Sequence, residues 1–415
     1  MTSEFRFYAG IDWASEEHQV CLIDPDCKIL EERIIQHSGA GLAQLIQWFD
    51  NLSGGNPATI GVGIEVPRGA VVESLVERNF AVFSLNPKQM DRFRDRHSVA
   101  GAKDDRRDAF VLADSLRTDQ HCFHRVRLDE PPIIRIRELS RLDDELRGEF
   151  NRLTNRLREQ LNRYFPQTLQ LGGKVDEPWL WSLLETAPEP ALARRLTVAQ
   201  LTKLLRTHRI RRVEPAELRT ALQAPAFHLA PGTVQAASEH VLLLLPRLRL
   251  VRQQRGEVSR RMQEVLDELS AGSEHRDVPL LQSLPGVGRV VTSTMLAEAW
   301  QPLAERDYHA LRSYAGSAPI TRRSGKKTIV QMRQGCNTRL RDALYHWARV
   351  SIQTDSHSRA HYAALRRKGH SHGRALRGVA DRWLAVLVAM LRTGVPYDPS
   401  RRGLAPGEET GGGQF

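Results

Sequence analysis

The apolar positions in the first third of the chain fall in short runs. FRFYAGID, QVCLID and KILEERII, within residues 5–35, are rich in apolar or β-branched residues. Turn-prone stretches at Ala14 to His18 and Asp24 to Asp26 separate them, which predicts three strands. Connections this short favour an antiparallel meander. Leu42, Leu45, Ile46 and Phe49 then recur at helical spacing. ATIGVGIE, residues 58–65, is almost continuously apolar, as expected of a strand covered on both faces. A helix near 69–78, a strand at 81–85 and helices near 87–96 and 105–117 follow.

Three antiparallel strands and then alternating α and β elements are the order of an RNase H-like α/β fold. The pattern changes after residue 130. Leu139, Leu142, Leu146, Phe150, Leu153, Leu157, Leu161 and Tyr164 step by three or four among Arg, Asp, Glu and Asn. That predicts a long amphipathic helix with a coiled-coil-like seam, ended by Pro166. The seam suits packing within its own chain and a dimer contact equally well. Residues 167–232 read as a small helical insertion with no identifiable chemistry, where Trp179 and Trp181 serve local core packing. A second long helix is expected near 234–270, interrupted by Pro246 and returning antiparallel to the first. The expected division is 1–130, a linker over 131–275, a mainly α domain over 276–393, and a disordered Gly-rich tail over 394–415.

Composition adds a partner class. Lys and Arg number 60 against 49 Asp and Glu, a net charge of +11. A surplus of that size suggests a polyanion partner. A hydrophobic share of 41% is enough for packed cores, and four cysteines exclude a disulfide scaffold. The longest apolar run, Trp383 to Leu391, is too short to span a membrane. No secretory signal is apparent, so a cytoplasmic protein without membrane contact is expected.

Acids mark the first segment. Asp12 ends the first strand, Glu65 ends the buried strand, and Asp104, Asp105 and Asp108 open a helix in GAKDDRRDAF. Asp105 and Asp108 are three apart, on one helical face. Singly, each has a plainer role: a turn cap, a partner for Arg68 or Arg92, or a helix-dipole charge. Together they form a set of like charges that needs a cation, and hard oxygen donors select Mg²⁺ or Mn²⁺. Such a site suits phosphoryl transfer. His121, Cys122 and His124 cluster without a second pair at zinc spacing, so zinc is not expected.

The C-terminal half carries two basic motifs. SLPGVGRVVTSTMLAEA, residues 283–299, has the form of a helix-hairpin-helix. Gly286 and Gly288 permit a tight turn whose amides can hold a phosphate, and Arg289 adds charge. Further on, Ser324 lies in Arg322-Arg323-Ser324-Gly325-Lys326-Lys327. The four cations can neutralise a phosphate that a serine attacks. By itself the segment reads more simply as a solvated basic loop touching phosphate, since such contacts far outnumber nucleophiles.

GIDWASEEH with Asp12, GIE with Glu65, KDDRRDA with Asp105 and Asp108, LPGVG at 284–288 and YAGSAP…RRSGKK at 314–327 together resemble the transposases of the insertion sequence 110 family, including its insertion sequence 1111 branch. The resemblance spans nearly the full chain apart from 167–232 and the tail. It implies a RuvC-like domain with a DEDD metal site, a coiled-coil linker and a C-terminal transposase domain. Carried over by motif, the tetrad is Asp12, Glu65, Asp105 and Asp108, with Asp104 the alternative to Asp105, and the nucleophile is Ser324. It further implies a phosphoserine link to DNA, dimers or tetramers with composite sites, and a bridge RNA that pairs with donor and target DNA. The competing readings are a RuvC-like Holliday-junction nuclease without a covalent intermediate and a non-catalytic nucleic-acid-binding protein.

Overall fold

The structure, a computed structural model, describes residues 5–85, 87–97, 104–170, 174–230, 232–272, 277–325 and 327–400. Lys326 and the tail from residue 401 lie outside them. The chain divides into two compact units, Met1–Glu130 and Pro131–Phe415.

The first unit is built on one sheet. Strands β1 (Phe7–Asp12), β2 (Glu17–Ile23) and β3 (Ile29–Gln36) form the expected antiparallel meander. Helix α1 (Gly39–Ser53) leads to β4 (Ile60–Ile64), which lies parallel to β1. Helix α2 (Ala70–Glu77) leads to β5 (Ala81–Ser84), parallel to β4. Helices α3 (Pro87–His97) and α4 (Asp105–Asp119) follow. A short β6 (His124–Arg125) closes the order β3-β2-β1-β4-β5-β6. Periodicity misses β6, because two residues carry no readable alternation. His124 is spent in that pairing, opposite Ser84.

Strand alternation sorts the core into two layers. Ala9, Ile11, Val20, Leu22, Val62 and Ile64 pack on one face with Leu45 and Phe49 of α1. The opposite face carries Tyr8, Cys21 and Ile23 against Val111, Leu112 and Leu116 of α4. Gly10 and Gly63 are register partners on that second face. A Cβ on Gly10 would lie 1.9 Å from the Ala109 carbonyl oxygen, and one on Gly63 would lie 3.0 Å from that of Leu112. Two adjacent glycines thus make a flat window on which the backbone of α4 rests.

The second unit is mostly helical. Helix α5 (Pro131–Tyr164) pairs along its length with α10 (Thr233–Ala271). Between them come α6 (Pro178–Thr186), α7 (Pro190–Ala193), α8 (Val198–Thr207) and α9 (Pro215–Gln223). Leu146, Phe150, Leu153, Leu157 and Leu161 are buried in the same cluster as Val241, Leu245, Leu248 and Val265. This is the own-chain arrangement of the two that the seam permits, although Leu142 stays 41% exposed. Pro246 lies within α10 without ending it. Trp179 and Trp181 are core residues, as expected.

Helices α11 (Asp277–Gln282), α12 (Arg289–Ala304) and α13 (Tyr308–Tyr314) precede an antiparallel hairpin, β7 (Ile320–Ser324) and β8 (Lys327–Gln331). Helices α14 (Thr338–Thr354), α15 (Ser356–Arg367) and α16 (His372–Thr393) complete the unit. The hairpin corrects the expected basic loop. Thr321, Thr328, Ile329 and Val330 favour strand, and Gly325 at φ +55° makes the two-residue turn. The tail also begins later than expected. Tyr397 packs on Trp383, and its backbone N–H donates to Ser283 Oγ at 3.0 Å.

A buried carboxylate anchors the far side of the hairpin. Glu298, 6% exposed at its side chain, accepts from Asn337 at 2.8 Å and pairs with Arg339 at 3.1 Å and Arg141 at 3.3 Å. Burial opposes its charge, but Asn337 and the two arginines hold its carboxyl below the usual glutamate range. A folded-state value below the unfolded one gives stability that is present above about pH 4.3 and lost as pH falls through the folded value. The second unit should therefore lose thermal stability in acid. Glu298→Gln should cost about 2 kcal/mol at pH 7 and flatten that acid limb. Melting followed by circular dichroism from pH 3 to 7 checks both; an unchanged acid limb would remove Glu298 from the account.

Candidate active site

Ile11 of β1 and Ile64 of β4 are parallel register partners, so the next residues, Asp12 and Glu65, stand side by side at the strand ends. Alternation puts Asp12 on the face of Gly10 and Glu65 on the face of Gly63. That is the face covered by α4. Because α4 touches Gly10 at Ala109, the preceding residue Asp108 is brought to the same edge. Three acids distant in sequence thus come to one end of the sheet.

Their surroundings differ. Asp12 and Glu65 are half-buried, while Asp108 is only 2% exposed. Both Asp108 oxygens are engaged by Arg94 of α3, Oδ1 by Nε at 2.6 Å and Oδ2 by Nη2 at 2.7 Å. Arg94 also binds Asp91 at 2.8 Å. The hydrogen bonds that Arg94 donates to Asp108 raise the guanidinium's already high pKa despite burial, and the charges of Asp108, Asp91 and Glu65 add to that. One guanidinium therefore binds Asp108 and Asp91, and the charge of Glu65 acts on it through space. Asp104 and Asp105 divide their roles. The Asp104 side chain accepts from the Arg106 N–H at 3.3 Å as the helix cap, while Asp105 is exposed in the first turn.

Hard carboxylate oxygens at the ends of adjacent strands fit a divalent cation such as Mg²⁺ in their chemistry. Arg94 supplies the positive charge beside Asp108. Among the described residues no group of three or more acids, histidines or cysteines converges as a ligand set. Asp108 is instead paired with Arg94.

His18 lies just behind these acids. It alternates with Val20 and Leu22 on β2 and is fully buried. Its Nδ1 faces the Ala14 N–H at 3.4 Å, and its Nε2 lies 3.0 Å from His37 Nδ1. Burial and the neighbouring His37 lower its pKa. The pair holds the turn that follows Asp12. Its burial was readable from strand alternation; its partner was not. Arg94 was also missed, since nothing in the sequence separates it from the other arginines of α3.

In the second unit, LPGVG forms the turn between α11 and α12. Gly286 at φ +80° needs a glycine, and a Cβ there would meet the Ser351 nitrogen at 3.1 Å. Trp347 Nε1 donates to the Pro285 carbonyl at 2.9 Å, pinning the turn to α14. Gly288 is the N-cap of α12 and provides no side-chain cap. Arg289, expected to face phosphate, instead donates to Ser259 Oγ on α10. The expected cations Arg322, Arg323 and Lys327 are exposed along the hairpin, and Ser324 is exposed at its turn.

A mixed six-stranded sheet with acids at the ends of adjoining parallel strands, followed by a mostly helical unit, is consistent with a DEDD-type RNase H-like domain. The comparisons narrow this. Residues 9–166 match a DEDD family described as "Transposase", and residues 278–363 match the "Transposase IS116/IS110/IS902 family". The chain belongs to the IS110 family of transposases. It is 32% identical to the "Mini-circle putative transposase for IS117" of Streptomyces coelicolor, over 95% of this chain and 96% of that one. It is 51% identical to "Putative transposase y4uE" of Sinorhizobium fredii over 57% of this chain and 64% of the relative. It is 30% identical to the "Insertion element IS110 uncharacterized 43.6 kDa protein" of Streptomyces coelicolor over 72% of each chain. Among the described residues no helix is long and apolar enough to cross a membrane.

Proposed function

We propose that this transposase cuts and rejoins DNA with a metal-dependent acid site in its first unit and a serine nucleophile in its second. The observation that carries the reading is the placement of Asp12 and Glu65 at the ends of two neighbouring parallel strands, under the helix that starts with Asp105 and Asp108, in a chain of a transposase family. Asp12, Glu65 and Asp108, with Asp105 at the exposed end of α4, would hold Mg²⁺ or Mn²⁺. The bound ion would neutralise phosphate charge and stabilise a leaving oxygen.

Ser324 is suited to attack phosphorus. Its Oγ would form a P–O bond as the bond to a strand hydroxyl breaks, and that hydroxyl leaves carrying the proton. The phosphoserine diester keeps the bond energy for rejoining. Arg322, Arg323 and Lys327 flank the serine on the hairpin and supply the charge that such a step needs. The turn at Gly286 and Gly288 is read as a helix-hairpin-helix that grips backbone without reading sequence. Sequence choice would then fall to a guide RNA of the bridge type, with the basic surface holding both nucleic acids. The working form would be an oligomer of this chain.

The test is a nicked suicide DNA substrate with Mg²⁺, resolved on a denaturing gel. Wild type should give a protein–DNA adduct, Ser324→Ala should give none while still binding DNA, and Asp12→Ala should lower cleavage by at least about a hundredfold. An undiminished adduct in Ser324→Ala removes the serine role. Cleavage without any adduct, still lost in Asp12→Ala, would make the protein a junction-type nuclease instead.

A further inference from the structure

A cavity of about 150 Å³ opens at the foot of the β7–β8 hairpin. Ser317 borders it just before β7, Arg341 and Tyr345 line it from α14, and Arg377 lines it from α16. Arg374 stands one turn before Arg377 on the same helix. Two arginines from two helices, Arg341 and Arg377, thus line one small space, and Arg374 stands exposed beside it. The acid at its wall, Asp342, is 67% exposed and lies 3.6 Å from Arg341. Among the described residues Arg377 has no carboxylate partner, and Asp381 on the next turn is taken by Arg312 at 2.7 Å.

Such a cluster carries an uncompensated cost. Burial, together with the charges of Arg374 and Arg341, lowers the pKa of Arg377. Two other partly buried arginines of this unit meet carboxylates, Arg306 meeting Asp277 and Arg339 meeting Asp144. At this cavity Arg341 has only the exposed Asp342 beside it, and Arg377 has no carboxylate partner among the described residues. The cavity has room for a tetrahedral oxyanion. Its walls are mostly apolar, with Ala315, Met332, Leu344 and Ala380, and the guanidinium forks of Arg341 and Arg377 are the donors at its rim that suit phosphate oxygens.

We infer that this cavity is a seat for one backbone phosphate of the bound DNA, held by Arg341 and Arg377 with Arg374 beside them. The inference rests on the reading of the chain as a DNA-acting transposase and adds a contact to it. Ile320 at the foot and Ser324 at the turn are four residues apart, about 13 Å at the rise of a strand. A strand anchored in the cavity is therefore held within one hairpin length of the serine. The seat fixes which stretch of DNA lies along the ribbon, and it does so without reading a base.

The experiment measures binding of a DNA duplex by the full chain against salt, with single neutral methylphosphonates stepped along each strand. Arg377→Gln should weaken binding about tenfold at 150 mM salt and lower the salt slope by about one phosphate contact. One methylphosphonate position should weaken wild type and leave Arg377→Gln unaffected. Equal sensitivity of both proteins at every position would overturn the seat. Should Arg377→Gln fail to fold, the exposed Arg374→Gln replaces it and must show the same selective loss. A selective loss on an RNA duplex alone would overturn the assignment to DNA. No DNA binding by wild type would instead refute the functional reading itself.

Discussion

A Gly10→Ala protein is expected to lose the folded first unit. The added methyl would lie 1.9 Å from the Ala109 carbonyl oxygen and 2.6 Å from the Ala113 nitrogen. Both are backbone atoms of a helix whose Val111, Leu112 and Leu116 are fully buried, so no side chain can swing aside. Ordinary overpacking costs about 1–3 kcal/mol because side chains and backbone partly adjust. Here α4 must lift from the sheet, so the cost should exceed about 3 kcal/mol, a large part of a domain's total stability. Gly63→Ala should be milder, because its nearest atom is 3.0 Å away. Urea unfolding of the two variants should rank them in that order. Gly10→Ala melting like wild type would mean that α4 is not seated as described.

The second large effect is expected at Arg94. Replacing it by glutamine leaves Asp108 buried with neither charge-assisted bond. Removing one partner of a buried pair costs about 3–5 kcal/mol, and the partial exposure of Arg94 argues for the lower end. Without divalent metal, Arg94→Gln should therefore melt well below wild type. If Asp108 is a metal ligand, Mg²⁺ or Mn²⁺ should restore more stability to Arg94→Gln than to wild type, because the cation no longer competes with a guanidinium. Isothermal titration should show tighter Mn²⁺ binding by the variant. Equal melting of both proteins without metal would sink the pairing. Equal metal affinity would leave Arg94 as a structural partner only.

Much of the acid site was legible because its signals are local. Asp12 and Glu65 end apolar runs that can only be strands, and the Asp105–Asp108 spacing is helical. The division between Asp104 and Asp105 needed the cap itself: one carboxylate accepts the Arg106 N–H, and the other is left exposed. Arg94 was hidden because 14 residues separate it from Asp108, and only the packing of α3 on α4 joins them. The hairpin carrying Ser324 was passed over for a different reason. Its strands are exposed on both faces, so they show no apolar alternation, and only Thr321, Thr328, Ile329 and Val330 hinted at them.

The sequence by itself determined the first five strands, the long amphipathic helices and the family. Each depends on periodicity or on short motifs, which are properties of neighbouring residues. Only the tertiary structure decided that the α5 seam closes on α10, that Arg94 meets Asp108, and that Arg341 and Arg377 face one cavity. Each of those choices selects one partner from several of equal local merit. What selects it is the shape of the packed layers: a glycine window that admits α4, and helices α14 and α16 packed closely enough to gather their arginines.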